Sequence, residues 1–497
     1  MTETVHAHLA AVINRQGDKV AIRFEAETLT YGAFGGAVEI AARHLQALGI
    51  SKGTTFSAYA QNSTELMIAY YAAARVGAVF VPLNPNLTAS EVEYAFKHSG
   101  ATILFHDDLV GDVARVAVPA GSLRGLKELR APADGLPAFE ETVIGPEDDF
   151  LIIYTSGSTG IPKAILLDHA AQVGAATSLA NMWGLTSDDV TLVALPLGYL
   201  YGLSTAAAVG LQSGGTVAIL RRFHPRDVLE GLLSHSATVY HGVPTMFSMM
   251  LEYCEQRDVT YDLSGVRALI CAGAPLPEEM QERFAKRFGK VIQNYYAATE
   301  TTPVFGTFAN DPRPVPKGAV GRAAPGLHVR IIRHDGTDCG DNEDGEVLVR
   351  AAATMKRYLN NPQQTDTAFR DGLFRTGDLG HRDGDGYFYL TGRIKDIIIR
   401  GGANISPSEV EAVLSSHPAV QDIAVVGGPD RIFGEVPIAF VVVRHGASVT
   451  QEDLIAYAEK TLSDFKVPRT IHFETELPLG LTGKLDKKAL KGRLHPE

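Results

Sequence analysis

The sequence predicts an α/β architecture: parallel sheet under covering helices, an antiparallel β subdomain near residues 318–393, and a small α+β domain at the C-terminal end. Three observations carry this. Between residues 24 and 110, and again after 168, short β-branched apolar runs alternate with helical patterns, as a parallel sheet with crossover helices requires. From about 318 the pattern becomes short strands parted by Asp335-Gly336, Asp344-Gly345, Asp371-Gly372, Asp383-Gly384 and Asp385-Gly386, the turn chemistry of hairpins. Past Lys395 roughly a hundred residues keep a helix–strand alternation of their own, enough for a separate core.

Taken in order, residues 39–48 predict an amphipathic helix and 55–60 a short strand. The alanine-rich 63–77 is helical, and 78–82 is a strand that Pro82 stops. A helix start signal opens 90–99, followed by a strand at 101–106. Residues 118–145, richer in Pro, Gly and charge, read as a connection, and 150–153 as a buried strand. Asp168-His169 leads into a helical run through Trp183, and a strand at 190–195 ends in Pro196-Leu197-Gly198-Tyr199-Leu200-Tyr201-Gly202-Leu203. Strands at 216–220, 238–240, 268–271 and 291–295 then alternate with helices at 225–234, 244–254 and 277–288. In the C-terminal part a helix at 407–414 precedes a strand at 420–426.

Composition narrows the function classes. At 497 residues the chain needs more than one core, and 45% hydrophobic with 21% charged residues is a globular balance. A net charge of -12 opposes nucleic-acid binding through a basic surface, so anions must be met by local positive charge. Residues 1–23 lack a basic-then-apolar leader, which points to the cytoplasm. The longest apolar stretches are broken by Arg75 and by Gln212-Ser213-Gly214-Gly215, so no membrane span is expected. Cys254, Cys271 and Cys339 form no metal-like or redox pair.

One stretch carries chemistry on its own. Tyr154-Thr155-Ser156-Gly157-Ser158-Thr159-Gly160-Ile161-Pro162-Lys163 follows the 150–153 strand and packs four hydroxyls and two glycines into six residues. Glycines let backbone N–H groups crowd a polyanion, hydroxyls add donors and the lysine adds charge, so the loop suits ATP phosphates. It is not a Walker A loop, because Pro162 stands where that pattern has its second glycine. The bland alternative is a polar connection after a strand.

Five segments, in order, resemble motifs of the adenylate-forming superfamily, which includes acyl-CoA synthetases, peptide-synthetase adenylation domains and luciferases. Residues 154–163 resemble its phosphate loop, Tyr296-Ala297-Ala298-Thr299-Glu300 its Tyr-Gly-x-Thr-Glu motif, and Arg375-Thr376-Gly377-Asp378 its ribose-binding segment. Gly392-Arg393-Ile394-Lys395-Asp396 resembles its hinge and Thr482-Gly483-Lys484 its catalytic-lysine motif. The resemblance, most like a bacterial carboxylate–CoA ligase, implies two parallel-rich sheets and the β subdomain in residues 1–393, and a mobile small domain in 394–497 pivoting at Lys395. It implies ATP, Mg²⁺ and coenzyme A as the small-molecule requirements and no nucleic-acid partner, and leaves homo-oligomerisation open.

Roles follow from the same resemblance. Thr155, Ser156, Gly157, Ser158, Thr159, Gly160 and Lys163 would wrap the phosphates, Thr299 would contact the α-phosphate and Glu300 would hold Mg²⁺. Tyr296 would lie along the adenine beside Gly273-Ala274-Pro275, and Asp378 would accept from both ribose hydroxyls with Arg393 nearby. Lys484 would bridge the substrate carboxylate and the α-phosphate. Gly401 and Gly402 would line a pantetheine path with Phe433 facing coenzyme A; His169 reads as structural. Each residue also has an ordinary use: an Asp in a Gly-Asp turn shapes turns, a C-terminal Lys is solvated, and paired glycines make a turn.

The acid is narrowed by departures from the common pattern. Gly198-Tyr199 stands where relatives carry an aromatic-His pair, Tyr201-Gly202-Leu203 is similar to a segment of some aryl-CoA ligases, and Ala297 replaces the motif glycine. The remaining expected lining is His241, Gly242, Val243, Met246, Ala272, Ala298, Pro303 and Val304. No aspartate lies in 196–203 to hold an ammonium, and no arginine among these lining positions to hold a second carboxylate. A small or medium monocarboxylic acid, aliphatic or aryl, is expected. An amine or carrier-protein thiol as acceptor, and a non-catalytic nucleotide sensor, are the alternatives.

Overall fold

The computed structural model describes residues 4–155, 162–311, 313–479 and 485–494. Its short apolar runs pair into two large sheets and two smaller ones. The nine-stranded sheet runs in the order Arg322–Ala323, Thr301–Gly306, Ile292–Ala298, Ala268–Cys271, Val239–Gly242, Val190–Val193, Thr216–Ile219, Val20–Phe24 and Glu27–Thr30. Every join from Val20–Phe24 across to Ile292–Ala298 is parallel, and the outer joins are antiparallel. The seven-stranded sheet runs Arg357–Tyr358, Lys163–Asp168, Asp149–Thr155, Val79–Leu83, Thr55–Tyr59, Leu104–His106 and Leu123–Gly125, parallel except at the first two joins.

One core binds the two sheets. It joins Ile22, Val217 and Ile219 of the first to Phe56, Phe80 and Phe150 of the second through Phe34, Tyr70 and Tyr71 on helices between them. The helix Thr64–Val76 is buried nearly all round. Its alanines are small enough for that position, and an apolar surface on every side belongs inside. Ser63 caps it by accepting from Leu66 N–H, and Gly77 closes it at φ 74°.

Several local expectations are corrected. Pro82 lies inside Val79–Leu83, in register with Ala58; the neighbour on the other side pairs only at Phe80↔Leu151, so that ladder asks no N–H of Pro82. The helix expected at 39–48 begins at Tyr31, capped by Thr30, because a glycine-rich first turn hid its period. The 118–145 connection holds the edge strand Leu123–Gly125 between two 3₁₀ turns. The helix Val5–Gln16 and the strands Val20–Phe24, Glu27–Thr30 and Thr301–Gly306 had no counterpart in the sequence reading.

An antiparallel sheet joins His328–Ile332, Gly345–Arg350, Leu373–Arg382, Phe369–Arg370 and Phe388–Arg393. Two short strands within 318–393 leave it: Arg322–Ala323 extends the nine-stranded sheet and Arg357–Tyr358 the seven-stranded one. The small C-terminal domain has its own sheet of Ala403–Ile405, Ile398–Arg400, Gly434–Val443, Val420–Asp430 and Thr470–Glu474. Its core centres on Ile398, Val410, Leu414, Val425 and Leu454. Among the described residues no helix is long and apolar enough to cross a membrane.

Candidate active site

Ligands of open parallel sheets sit beyond the carboxyl ends of the strands. Here those ends bring together His241 and Gly242 of Val239–Gly242, Ala272 just after Ala268–Cys271, and Ala297 and Ala298 of Ile292–Ala298. The exposed Gly273-Ala274-Pro275 follows Ala272, with Gly273 at φ 93°. Ile292–Ala298 and Thr301–Gly306 form a hairpin in which Ala298 faces Thr301, so Thr299 and Glu300 occupy its tip. Thr302 Oγ1 donates to Ala298 O at 2.8 Å and closes that turn.

Asp378 reaches the same region through a bulge. Glu346 faces Leu379 and Leu348 faces Arg375, so Thr376, Gly377 and Asp378 together oppose Val347. Gly377 takes φ 70°, and Thr376 Oγ1 donates to Val347 O at 2.8 Å while accepting from Asp378 N–H at 3.0 Å. The carboxylate, 5% exposed, accepts from the Tyr296 hydroxyl and pairs with Arg393 Nε at 2.7 Å. Burial and the Asp378 charge push the Tyr296 phenol well above its ordinary range. One face of Tyr296 stacks on Phe305, with centroids 5.7 Å apart. Arg375 turns away to a bidentate pair with Glu346 and serves the sheet.

Where the acid is expected, the side chains are aromatic. Trp183 meets His241 at 4.9 Å and Tyr295 at 5.2 Å, edge to face, and Tyr201 meets His241 at 5.8 Å. The Tyr201 hydroxyl donates to Gly242 O and Ile270 O at 3.3 and 3.2 Å, tying the ring to the strand ends. Burial holds His241 down to about 3, so the imidazole is neutral near pH 7. Ala272 and Ala297 pack in this cluster, while Val304 and Ala298 belong to the core between the sheets. Val243 caps the helix Pro244–Arg257 and is half-buried. Tyr199 is half-buried on the other side, where burial and the Glu91 carboxylate push its phenol up to about 12. Gly198 is no pocket hollow: a Cβ there would lie 2.5 Å from Asn84 N.

At the expected pivot, Lys395 is exposed in the 3₁₀ turn Ile394–Asp396. Gly401 and Gly402, at φ 56° and 90°, make the two-residue turn between Ile398–Arg400 and Ala403–Ile405. Gly401 N–H donates to Phe433 O at 2.7 Å, and Arg400 lies 4.9 Å over the Phe433 ring. Thr155 and Lys163 pair across the strands that flank the phosphate loop. Ser156, Gly157, Ser158, Thr159, Gly160 and Lys484 lie outside the described residues.

Residues 9–359 match the AMP-binding enzyme family, and residues 409–484 match the AMP-binding enzyme C-terminal domain. The chain belongs to the AMP-binding enzymes. It is 34% identical over 479 residues to a feruloyl-CoA synthase of an Amycolatopsis species, covering 95% of each chain. It is 33% identical over 483 residues to the indoleacetate–CoA ligase of Aromatoleum aromaticum, covering 94% of each. The crystal structure of ATP-bound MatB from Rhodopseudomonas palustris superposes with a TM-score of 0.90 at 30% identity over 99% of both chains. The protein is accordingly an adenylate-forming, AMP-forming carboxylate–CoA ligase that binds ATP.

Three residues of this AMP-binding enzyme's candidate site are not legible from the sequence alone. Trp183 closes a helix and Tyr295 sits one residue before the Tyr296 motif, and neither position signals a pocket without the pairing of strands. Tyr358, whose hydroxyl donates to Glu300 Oε1 at 2.8 Å, comes from a two-residue strand on the other large sheet.

Proposed function

We propose that this ligase activates an aryl monocarboxylic acid as acyl-AMP and passes the acyl group to the thiol of coenzyme A. The observation that carries the acid class is the neutral aromatic group of Trp183, Tyr201, His241 and Tyr295 at the strand ends. Ring edges and faces favour another ring, and a neutral His241 offers no charge to a second carboxylate. The names of the feruloyl-CoA and indoleacetate relatives support the same class.

In the first step a carboxylate oxygen of the acid attacks the ATP α-phosphorus and pyrophosphate leaves. Asp378 retains free lone pairs beside those used by Tyr296 and Arg393, and accepts from the ribose hydroxyls. The Thr299 hydroxyl, at the hairpin tip, donates to the α-phosphate. Lys163, and Lys484 by its place in the motif, supply positive charge where two anions meet. In the second step the coenzyme A sulfur attacks the acyl carbon, AMP leaves and the thiol proton is released. The Gly401-Gly402 turn, with Phe433 against it, lines the thiol's path once residues 394–497 swing about Lys395.

Among the described residues there is no cluster of three metal-ligating side chains, so Glu300 would act as a lone carboxylate. That fits Mg²⁺, which takes one or two carboxylates and completes its shell with phosphates and water. When bound, the ion neutralises charge developing on the phosphates.

The test is AMP release that depends on coenzyme A across a panel of acids. Aryl monocarboxylates should exceed straight-chain acids and dicarboxylates in kcat/KM by about tenfold or more. A straight-chain acid at the top of the panel would remove the aryl assignment, and acyl-AMP without thioester would remove the coenzyme A step.

A further inference from the structure

The Glu300 carboxylate has one hydrogen-bond partner among the described residues, the Tyr358 hydroxyl at 2.8 Å. Tyr358 is 4% exposed and lies in Arg357–Tyr358, in register with Ile165 of the strand that begins at Lys163. Lys163 Nζ sits 4.9 Å above the Tyr358 ring. The segment around Tyr358 is fastened on both sides. Toward the hairpin tip, Met355 N–H donates to Glu300 O at 2.7 Å, and Thr354 bridges to Thr301. Toward the phosphate-loop exit, Lys356 N–H donates to Leu166 O at 3.2 Å and Leu359 N–H to Ala164 O at 2.8 Å. Residues 354–359 are therefore a strap between the turn that carries Glu300 and the strand that carries Lys163.

The consequence for a metal site is geometric. A carboxylate on a hairpin tip rotates freely unless something holds one oxygen. A hydroxyl donating to Oε1 fixes the plane of the group and leaves lone pairs on Oε2 directed elsewhere. Mg²⁺ tolerates little departure from octahedral geometry at about 2.0–2.1 Å, so a lone carboxylate ligand must be presented in one orientation. We propose that Tyr358 is the positioning residue of the metal site: its hydroxyl sets the Glu300 carboxylate for the metal of the ATP complex, and its ring seats Lys163 alongside. This rests on Glu300 as the metal ligand.

Tyr358→Phe keeps the ring against the sheet and under Lys163 and removes only the donor. The readout is Mn²⁺ affinity, followed by loss of the free-ion EPR signal, for the enzyme holding α,β-methylene-ATP. Nucleotide binding in EDTA and thermal unfolding run alongside, with Glu300→Gln and the double variant. Removing a partner of a metal ligand commonly lowers metal affinity about 10–100-fold. Tyr358→Phe should raise the Mn²⁺ dissociation constant about tenfold and leave metal-free nucleotide binding unchanged. It should add nothing in the Glu300→Gln background, and p-aminophenylalanine at position 358, which restores a donor, should recover the affinity. Unchanged Mn²⁺ affinity in Tyr358→Phe with weakened affinity in Glu300→Gln overturns the role of Tyr358 alone. So does an equal loss with Glu300 already replaced, or a fall in Tm of more than about 5 °C, which would make the hydroxyl a fold element. Intact Mn²⁺ affinity in Glu300→Gln overturns the metal-ligand reading itself.

Discussion

His169 is fully buried, accepts the Val5 N–H at Nδ1 and stacks on Phe150 with ring centroids 4.6 Å apart. Burial holds it down to about 4, as it holds His241 down to about 3. In the unfolded chain both titrate near the ordinary 6.5. Between roughly pH 6.5 and 4 the unfolded chain therefore binds more protons than the native one, and stability rises with pH. The full contribution is present above that window and is lost on acidification by about 1.4 kcal/mol per pH unit for each histidine. Urea unfolding from pH 7.5 to 5 should show this slope, and His169→Gln should flatten it by one histidine's share. An unchanged slope would place the acid sensitivity elsewhere. The docking of Val5–Gln16 on this imidazole fits the structural role expected of His169.

The bulge at Thr376-Gly377-Asp378 shows how an element, rather than a residue, presents the proposed ribose acceptor. Three residues against one turn Asp378 inward, and Gly377 supplies the φ of 70° that the turn requires. A Cβ on Gly377 would meet nothing within 4 Å, so Gly377→Ala tests conformation without a clash. The left-handed backbone costs an L-residue about 1–2 kcal/mol. Relaxing that strain would straighten the bulge and draw Asp378 off Tyr296 and Arg393. The expected outcome is a KM for ATP raised severalfold with kcat for the acid step less affected, read by pyrophosphate exchange; an unchanged KM would show that the bulge holds without glycine. This part of the candidate site was legible in the sequence because its residues are contiguous: Asp378 and the Thr299-Glu300 tip each sit in one short run. Tyr358, Trp183 and Tyr295 were not legible, because their neighbours come from other strands and only the sheets bring them together. The same holds for Pro82, acceptable only because of where its neighbour strand stops pairing, and for the edge strand Leu123–Gly125, too short to show a period.

At the scale of the whole molecule, few polar contacts among the described residues hold the small domain to the large one. Arg444, just past Gly434–Val443, donates to both carboxylate oxygens of Glu279 on the helix Glu278–Phe288. Nearer Lys395, Ser406 Oγ donates to Thr391 O, a contact close in sequence to the proposed hinge. The Arg444–Glu279 pair is distant from Lys395 in sequence and spans the two domains, so the proposed swing about Lys395 would break it. Its side chains are 27% and 41% exposed, which limits its worth to about 1 kcal/mol or less. For the stability of either domain that is minor. For a choice between two orientations it is a factor of about five in population, large enough to set which half-reaction the resting enzyme is poised for. Arg444→Met should lower the share of this orientation up to about fivefold, read by energy transfer between one dye on each domain, and 0.5 M salt should mimic part of the change in the unaltered protein. Because one orientation gains what the other loses, pyrophosphate exchange and thioester formation from supplied acyl-AMP should move in opposite directions. A variant that changes neither the dye distance nor the balance of the two half-reactions would mean that the pair merely follows the domains, and that their orientation is set near Lys395.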